Sequence, residues 1–502
     1  MMRLSEAAHA TRGKVIGQDA LFTSVGSDSR ALTPGQLFVA LRGEHFDGHA
    51  YAQQCLDQGA AAAMISTEQA NLSAALLVQD TRLALGELAA HWRNKFSIPL
   101  AAITGSNGKT TVKEMLASIL RTHVAKILSE SQAIQGEGGE EIATRHTESG
   151  RREADDEANT EIAQHAAREA VLATEGNLNN DIGLPLTLLK LRAQHRYAVV
   201  EMGMNHAGEI RYLTRIGRPT VALVNNATVA HLGGLGTVEA VALAKGEIFE
   251  GLAADGIAVI NADDSFAPLW KLLAAPHPIM TFGLEQNSLL GADVSADYRL
   301  DADGSEINIK TPQGEAEFHL AVAGLHNVRN ALAAATVALA MGISLAAITA
   351  GLAGFAGVKG RLQHKAGFNG ALVIDDTYNA NPASMKAAID VLAAQTGKKL
   401  LVLGDMGELG ADAAQMHAEI GSYAKLAGIA ALYTLGDLSH ETATAFGAGA
   451  QHHDAPETLA AQLMAQMDAN AVVLVKGSRF MRMERVVTLI TENHSEKDRE
   501  KH

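Results

Sequence analysis

Short apolar runs rich in Val, Ile, Ala and Leu recur along most of the chain, among them "LAAITG", "YAVVEMG", "TVALVNN", "GIAVINADD", "ALVIDD", "KLLVLGD" and "AVVLVKGS". Each run is continuously hydrophobic rather than alternating, and the stretches between them place apolar residues at helical spacing. This pattern predicts parallel strands covered on both faces and joined by crossover helices, an α/β fold with doubly covered sheets. Several runs end in Asn, Asp or Glu or pass into Gly, and the carboxyl ends of parallel strands are where such sheets hold ligands.

The pattern falls into three blocks. Residues 1–84 make a small first unit that closes on "LLVQDTRLALGELAAHW", whose last part reads as a helix leading onward. Residues 85–322 make a central unit, from the strand "LAAITG" to the strand-like "SEINIKTPQGEAEFHLAV", in which Pro312 to Gly314 predicts a hairpin turn. Residues 323–492 make a third unit, opening with the helical "AGLHNVRNALAAATVALAMG" and containing three more strand candidates. The charged end, 493–502, is expected to be disordered. A length of 502 residues agrees with three units at roughly 150 residues each.

One segment breaks the pattern. Residues 137–169 hold ten acidic and four basic residues, no aromatic residue, and only Ile142 and Ile162 as large aliphatics. So little apolar surface does not offset the entropy of ordering, and the segment is expected to be a mobile loop or a marginal surface helix.

Composition narrows the function classes. Lys and Arg total 41 against 56 Asp and Glu, a net charge of −15, which argues against a nucleic-acid backbone as a general partner. The opening "MMRLSEAAHATRGK" lacks an apolar core after its Arg, and no run of ~18 uncharged apolar residues occurs. A cytoplasmic protein without integral membrane association is expected. The single cysteine, Cys55, excludes an internal disulfide and reads as a packing residue.

The most informative stretch is "AAITGSNGKTTVKEM". A strand runs into Gly105-Ser106-Asn107-Gly108-Lys109-Thr110-Thr111 and then into an amphipathic helix. Glycines let backbone N–H groups approach phosphate, Lys109 neutralises charge, and the Thr110 hydroxyl suits Mg²⁺. The spacing Gly-x-x-Gly-Lys-Thr is two residues shorter than the common Gly-x-x-x-x-Gly-Lys form. No Asn-Lys-x-Asp tetrapeptide for guanine occurs, so adenine is expected.

Other candidates sit at strand ends. Glu201 closes "YAVVEMG", where it is either a second metal ligand beside Thr110 or a helix cap. His231 follows "NNATVA", and Lys245 in "EAVALAKGEIF" is either snorkelling or chemically special. Asn327 and Asn330 share a helix face. Arg361 follows in "GVKGRLQ", and "VIDDTYNANPASM" then brings Asp375, Asp376, Tyr378, Asn379 and Asn381 to one strand end. Singly, each of these is also ordinary turn chemistry.

Together these motifs resemble the Mur ligase family over nearly the whole chain, adding "SDSRALTPGQLFVALRGEHFDGHAY", "TEGNLNNDIGLPLTLL", "LGDMGELG" and "LVKGSR" to those above. The stretches "DDTYNANPASM" and "NLNNDIG" point to the member that joins D-alanyl-D-alanine to UDP-N-acetylmuramoyl-tripeptide. A sibling with another amine substrate, including the folylpolyglutamate type, is the alternative.

The resemblance implies a UDP-substrate domain, a central P-loop-type ATPase domain and a C-terminal Rossmann-like domain. It also implies ATP-driven amide formation through an acyl phosphate. A monomer is expected. Lys109 and Thr110 then hold the phosphates and a first Mg²⁺, with Glu201 as its carboxylate ligand and His231 as ligand to a second. Lys245 falls where the family carries a carbamylated lysine that helps position Mg²⁺. Asn327 corresponds to the adenine contact, Arg361 and Asp376 to nucleotide contacts, and Tyr378, Asn379 and Asn381 to the dipeptide pocket. Ser29 and Arg30 match the uridine side, and Asn177, Asn179 and Asn180 the segment facing the UDP-sugar. The 137–169 segment departs from the family's short connection, and the intact "TEGNLNND" after it implies an insertion that projects outward.

Overall fold

The computed structural model describes residues 1–69, 72–137, 161–229, 232–284 and 291–491. Within residues 1–84 a five-stranded sheet runs in the order Lys14–Gly17, Ala74–Leu77, Ala62–Ile65, Gln36–Val39, Ser24–Gly26, antiparallel only at its first pair. The helix Thr81–Arg93 follows, its start fixed by the Asp80 carboxylate, which accepts from the N–H groups of Arg82 and Leu83. Its Leu85, Leu88, Ala89 and Trp92 are buried in an apolar cluster that extends from Met2 to Trp270. The expected boundary at 84/85 therefore falls inside a helix that forms a shared wall between the first and central units.

The central sheet has six parallel strands in the order Ile279–Phe282, Ile257–Asn261, Val221–Val224, Leu100–Thr104, Tyr197–Glu201, Val171–Ala173. The chain leaves Leu100–Thr104 toward one side of the sheet and later returns on the other. A crevice opens where successive connections diverge in this way, outside the carboxyl end of that strand. The register aligns Glu201 with Ile103 and Val224 with Thr104, so the phosphate loop emerges between Glu201 and Asn225.

One face of this sheet is covered by the helices Lys109–Glu137, Leu325–Ala340 and Leu345–Ala353 and by the three-stranded antiparallel sheet Ser295–Leu300, Ser305–Thr311, Gly314–Leu320. The predicted hairpin turn between Thr311 and Gly314 is present. Val328, Leu332, Ala335, Ile348 and Leu352 share one buried cluster with Ile103, Leu116 and Ile119. The third unit therefore begins after Phe355 and not at 323. Helical spacing predicted a helix over residues 323–342, but periodicity carries no information about which sheet its buried face covers.

From Gln363 onward a six-stranded sheet runs Gln363–Ala366, Leu372–Asp376, Ala471–Lys476, Lys398–Gly404, Ala431–Leu435, Ala450–His453, parallel except at its first pair. It contains three strands beyond those expected. In the charged segment 137–169, residues 161–169 are helical and bury Ala163 and Ala167. Residues 138–160 and the 493–502 tail lie outside the described residues. No helix among the described residues is long and apolar enough to cross a membrane.

The close approach of Leu345–Ala353 to Lys109–Glu137 rests on Gly351, whose carbonyl accepts from the Ser118 hydroxyl at 2.7 Å. A β-carbon there would stand 2.4 Å from the Ile119 Cα, and backbone cannot yield as a flexible side chain can. Gly351→Ala is expected to cost about 1–3 kcal/mol through overpacking, measured by denaturant unfolding. A variant as stable as the parent would contradict this packing.

Candidate active site

The phosphate loop is shaped by its two glycines and by a set of amides around it. Gly108 sits at φ +80, and the loop then enters the helix that starts at Lys109. Asn226 Oδ1 accepts from the Asn107 N–H at 2.8 Å, and the side-chain amides of Asn225 and Asn226 both donate to the Asn107 carbonyl, at 3.0 and 3.1 Å. Asn225 also reaches Asn330 at 3.3 Å, which in turn donates to Asn327. Neutral hydrogen bonds of this kind are worth about 1 kcal/mol each, and together they fix the path of the loop.

Thr110 is the hub of the charged groups. Its hydroxyl donates to Glu201 Oε2 at 2.8 Å and accepts from Arg361 Nη2 at 2.9 Å. The other oxygen of Glu201 accepts from the Asn179 amide at 2.7 Å, while the Glu201 N–H donates to the Thr174 hydroxyl. Lys109 folds back to donate to the Gly105 carbonyl at 2.7 Å. Enclosure and the nearby Arg361 guanidinium lower its pKa, with Glu201 opposing them; enclosure is the largest cause.

Lys245, near the end of the helix Val238–Gly246, is 2% exposed. Burial first, and the charge of Lys109 second, push its amine well below the usual lysine range. The snorkelling alternative is thereby removed: this side chain does not carry its amine to solvent.

The third unit closes on this centre through Arg361 and Asn381. Asn381 donates to Asn107 Oδ1 at 2.7 Å and caps the helix Pro382–Ala394 through a reciprocal pair with Ser384. Arg361 lies over the Tyr378 ring, 4.3 Å from its centroid, a cation–π contact that orients the guanidinium toward Thr110. The next residue, Leu362, has φ +50, a conformation that costs a β-branched or bulky residue energy and is retained here beside the site. Lys476 pairs with Asp376 at 2.7 Å and also donates to the Asn379 carbonyl.

Two cavities flank Arg361. The smaller, about 440 Å³, is lined by Asn107, Gly108, Thr111, Asn327, Arg361 and Asp376 among others. The larger, about 950 Å³, is lined by Ser106, Lys109, Asn177, Asn179, Asn180, Glu201, Tyr378, Asn379 and Asn381 among others. Ser29 and Arg30 border neither, and Arg30 forks onto Asp28 on the surface of the first unit. His231 lies outside the described residues.

Several neighbours were not singled out from sequence. Asn225 and Asn226 hold the loop, and their position at the end of the strand Val221–Val224 was the available signal. His326 and Asp264 border the smaller cavity, where burial brings His326 down to about 4 against the pull of Asp376 and raises Asp264. Arg82 reaches from the shared helix to Asp181 beside the larger cavity, a pairing across 99 residues that no local pattern reveals.

This arrangement combines a glycine-shaped loop entering a helix, a carboxylate and hydroxyl suited to a hard cation, and an arginine contributed by a second domain. Three family models match the chain: the Mur ligase family catalytic domain over residues 21–93, the Mur ligase middle domain over 103–338, and the Mur ligase glutamate ligase domain over 360–479. The chain belongs to the Mur ligase family.

Within that family it is 40% identical to the UDP-N-acetylmuramoyl-tripeptide--D-alanyl-D-alanine ligase of Escherichia coli K12, over 98% of each chain. The crystal structure of MurF from Acinetobacter baumannii superposes with a TM-score of 0.82 at 34% identity, covering 97% of this chain and 98% of that one. MurF from Thermotoga maritima in complex with ADP superposes at 0.76 with 27% identity, over 94% and 98%.

A β-carbon at Gly108 would stand 2.3 Å from Asn330 Oδ1 and 2.6 Å from Asn225 Nδ2, in a backbone conformation that disfavours one anyway. Gly108→Ala is expected to weaken binding of a non-hydrolysable ATP analogue about tenfold or more, by disturbing the amides that shape the loop. Titration calorimetry checks this, with a native-like circular dichroism spectrum as the control.

Proposed function

We propose that the protein joins D-alanyl-D-alanine to UDP-N-acetylmuramoyl-tripeptide, with ATP converted to ADP and phosphate, as a cytoplasmic monomer supplying peptidoglycan synthesis. The observation that carries this reading is the meeting at Thr110 of a phosphate loop, Glu201 and the third unit's Arg361, at the mouth of a cleft large enough for a second substrate. The curated relative named for this reaction matches almost end to end, which favours D-alanyl-D-alanine over a sibling's amine.

A carboxylate is a poor electrophile at neutral pH. Transfer of the γ-phosphoryl group of ATP to the tripeptide's terminal carboxylate gives an acyl phosphate, and the dipeptide amine displaces phosphate to form the amide. The task of the chain is to hold like-charged oxygens together, which preorganised donors and cations do without reorganising during reaction. Lys109 and the loop N–H groups serve the phosphates. Arg361, whose buried Nε has no hydrogen-bond partner among the described residues, has a donor that a phosphate oxygen would satisfy.

The hydroxyl of Thr110 and the carboxylate of Glu201 are hard oxygen donors 2.8 Å apart, a fit for Mg²⁺. These two would hold one ion, with His231 assigned to a second. Bound there, Mg²⁺ supplies charge neutralisation at the phosphoryl oxygens. The buried, deprotonation-prone amine of Lys245 suits addition to CO₂, since only a neutral amine adds. A carbamate would convert a cation repelled by Lys109 into an anion attracted to it. Asn327 and Asp376 serve the nucleotide, Tyr378, Asn379 and Asn381 the dipeptide, Asn177, Asn179 and Asn180 the UDP-sugar, and Ser29 and Arg30 the uridine.

Phosphate release by the purified protein is expected only with ATP, Mg²⁺, UDP-tripeptide and D-alanyl-D-alanine all present, with the amide product seen by mass spectrometry. Equal turnover with another amine would overturn the choice of substrate. Lys245→Ala is expected to lose roughly a hundredfold or more in kcat. Short carboxylic acids should restore part of it; wild-type turnover in this variant would remove the carbamate from the mechanism.

A further inference from the structure

The helix Lys109–Glu137 carries a further lysine on the side that bears Thr110. Lys113 lies three residues beyond Thr110, so the two side chains stand about one turn apart on the same face. Lys113 is 1% exposed, and the residues around it, Val112, Met115 and Leu116, belong to the apolar cluster that includes Ile103, Val171 and Val199 of the central sheet. An ammonium placed there gives up its hydration, a loss that a methionine of similar length would not suffer. Whatever distinguishes lysine at this position lies in what the ammonium touches.

Lys113 Nζ donates to the Thr174 carbonyl at 2.6 Å and pairs with Glu114 Oε1 at 2.7 Å. Thr174 follows the edge strand Val171–Ala173 and is itself buried. Its N–H donates to the Val199 carbonyl at 3.0 Å, and its hydroxyl accepts from the Glu201 N–H at 3.0 Å. Further along, Asn179 closes on the same strand end: its amide donates to Glu201 Oε1 at 2.7 Å and its carbonyl accepts from the Gly203 N–H at 2.8 Å. The segment 174–179 thus clasps Glu201 by the backbone at one end and by the carboxylate at the other. Lys113 fastens the first end of that clasp to the helix.

Glu201 is therefore tied to the helix twice. The direct tie is the Thr110 hydroxyl on Oε2, and a cation held by Thr110 and Glu201 would compete for those same two oxygens. The second tie runs from Lys113 through Thr174 to the Glu201 N–H and uses none of the ligand oxygens. It stays intact when the first gives way to an ion, and partners of this outer kind are what orient a ligand toward a metal.

We propose that Lys113 is a positioning residue of the cation site: through Thr174 it holds the end of the strand Tyr197–Glu201 against the helix, so that Glu201 and Thr110 present their oxygens to one ion. This rests on the assignment of those two oxygens to Mg²⁺ above.

Cation binding by the full-length protein tests it, read as Mn²⁺ dissociation by electron paramagnetic resonance with a non-hydrolysable ATP analogue present. Lys113→Met removes the donor and keeps the length of the side chain, and Thr174→Val removes the hydroxyl and keeps the carbonyl. Each is expected to weaken Mn²⁺ binding about tenfold or more. The double variant should lose no more than the worse single one, because both interrupt one path. Affinity for the analogue without the ion should stay within about twofold. Lys113→Gln, too short to reach Thr174, is expected to match Lys113→Met and takes its place if that variant does not fold.

Mn²⁺ binding unchanged in the Lys113 variants would overturn the proposal, as would additive losses in the double variant or an equal loss of analogue affinity without the ion. Glu201→Gln is the reference. If it binds Mn²⁺ like wild type, Glu201 is no ligand and both readings fall together; if it binds weakly while Lys113→Met binds normally, only the role of Lys113 falls.

Discussion

The hydroxyl of Thr110 is the point on which the site depends. It donates to Glu201 from a neighbouring strand and accepts from Arg361, 251 residues further along the chain. One small group thus ties the start of the phosphate-loop helix to the next strand of the sheet and to the third unit. A hydroxyl can do this because it donates and accepts at once; a lysine or a carboxylate in the same place could not. Around that point the charges alternate, Lys109, Glu201, Arg361, so that positive groups gather without facing one another unscreened.

The arrangement exists because of where Leu100–Thr104 lies in its sheet. Its two neighbours are reached by chain connections on opposite sides, and Glu201 ends one while Asn225 follows the other. The phosphate loop inherits a carboxylate on one flank and amides on the other. On the remaining side the helices Leu325–Ala340 and Leu345–Ala353 pack on the loop's own helix, which brings Asn327 and Asn330 to the smaller cavity as part of the central unit. The third unit then contributes fewer contacts, chiefly Arg361 and Asn381, than the boundary expected from sequence would give it.

The buried amine of Lys245 follows the same logic of charge placed by packing. An ammonium so enclosed, beside Lys109, is disfavoured by desolvation and by repulsion, and both effects favour the neutral form. The sequence around it is apolar enough to predict burial, yet burial alone did not distinguish a snorkelling stem from a trapped amine. The fold decides, because the helix Val238–Gly246 turns that position inward.

Much of the architecture was legible in one dimension. Continuous apolar runs located seven buried strands, since a strand covered on both faces has no polar face to alternate with. Gly105 to Thr111 located a glycine-shaped turn entering a helix, because that geometry is local. Short strands such as Val171–Ala173 and Gln363–Ala366 passed unnoticed, because few residues and modest hydrophobicity leave their pairing to the neighbours. What sequence alone determined was therefore local: strands, helices, the loop and the types of side chain at strand ends. Which helix covers which sheet, that Asn225 and Asn330 meet, and that Arg361 finds Thr110 were decided by tertiary structure. Those facts depend on contacts between residues far apart in the chain, and no periodicity within a single segment encodes them.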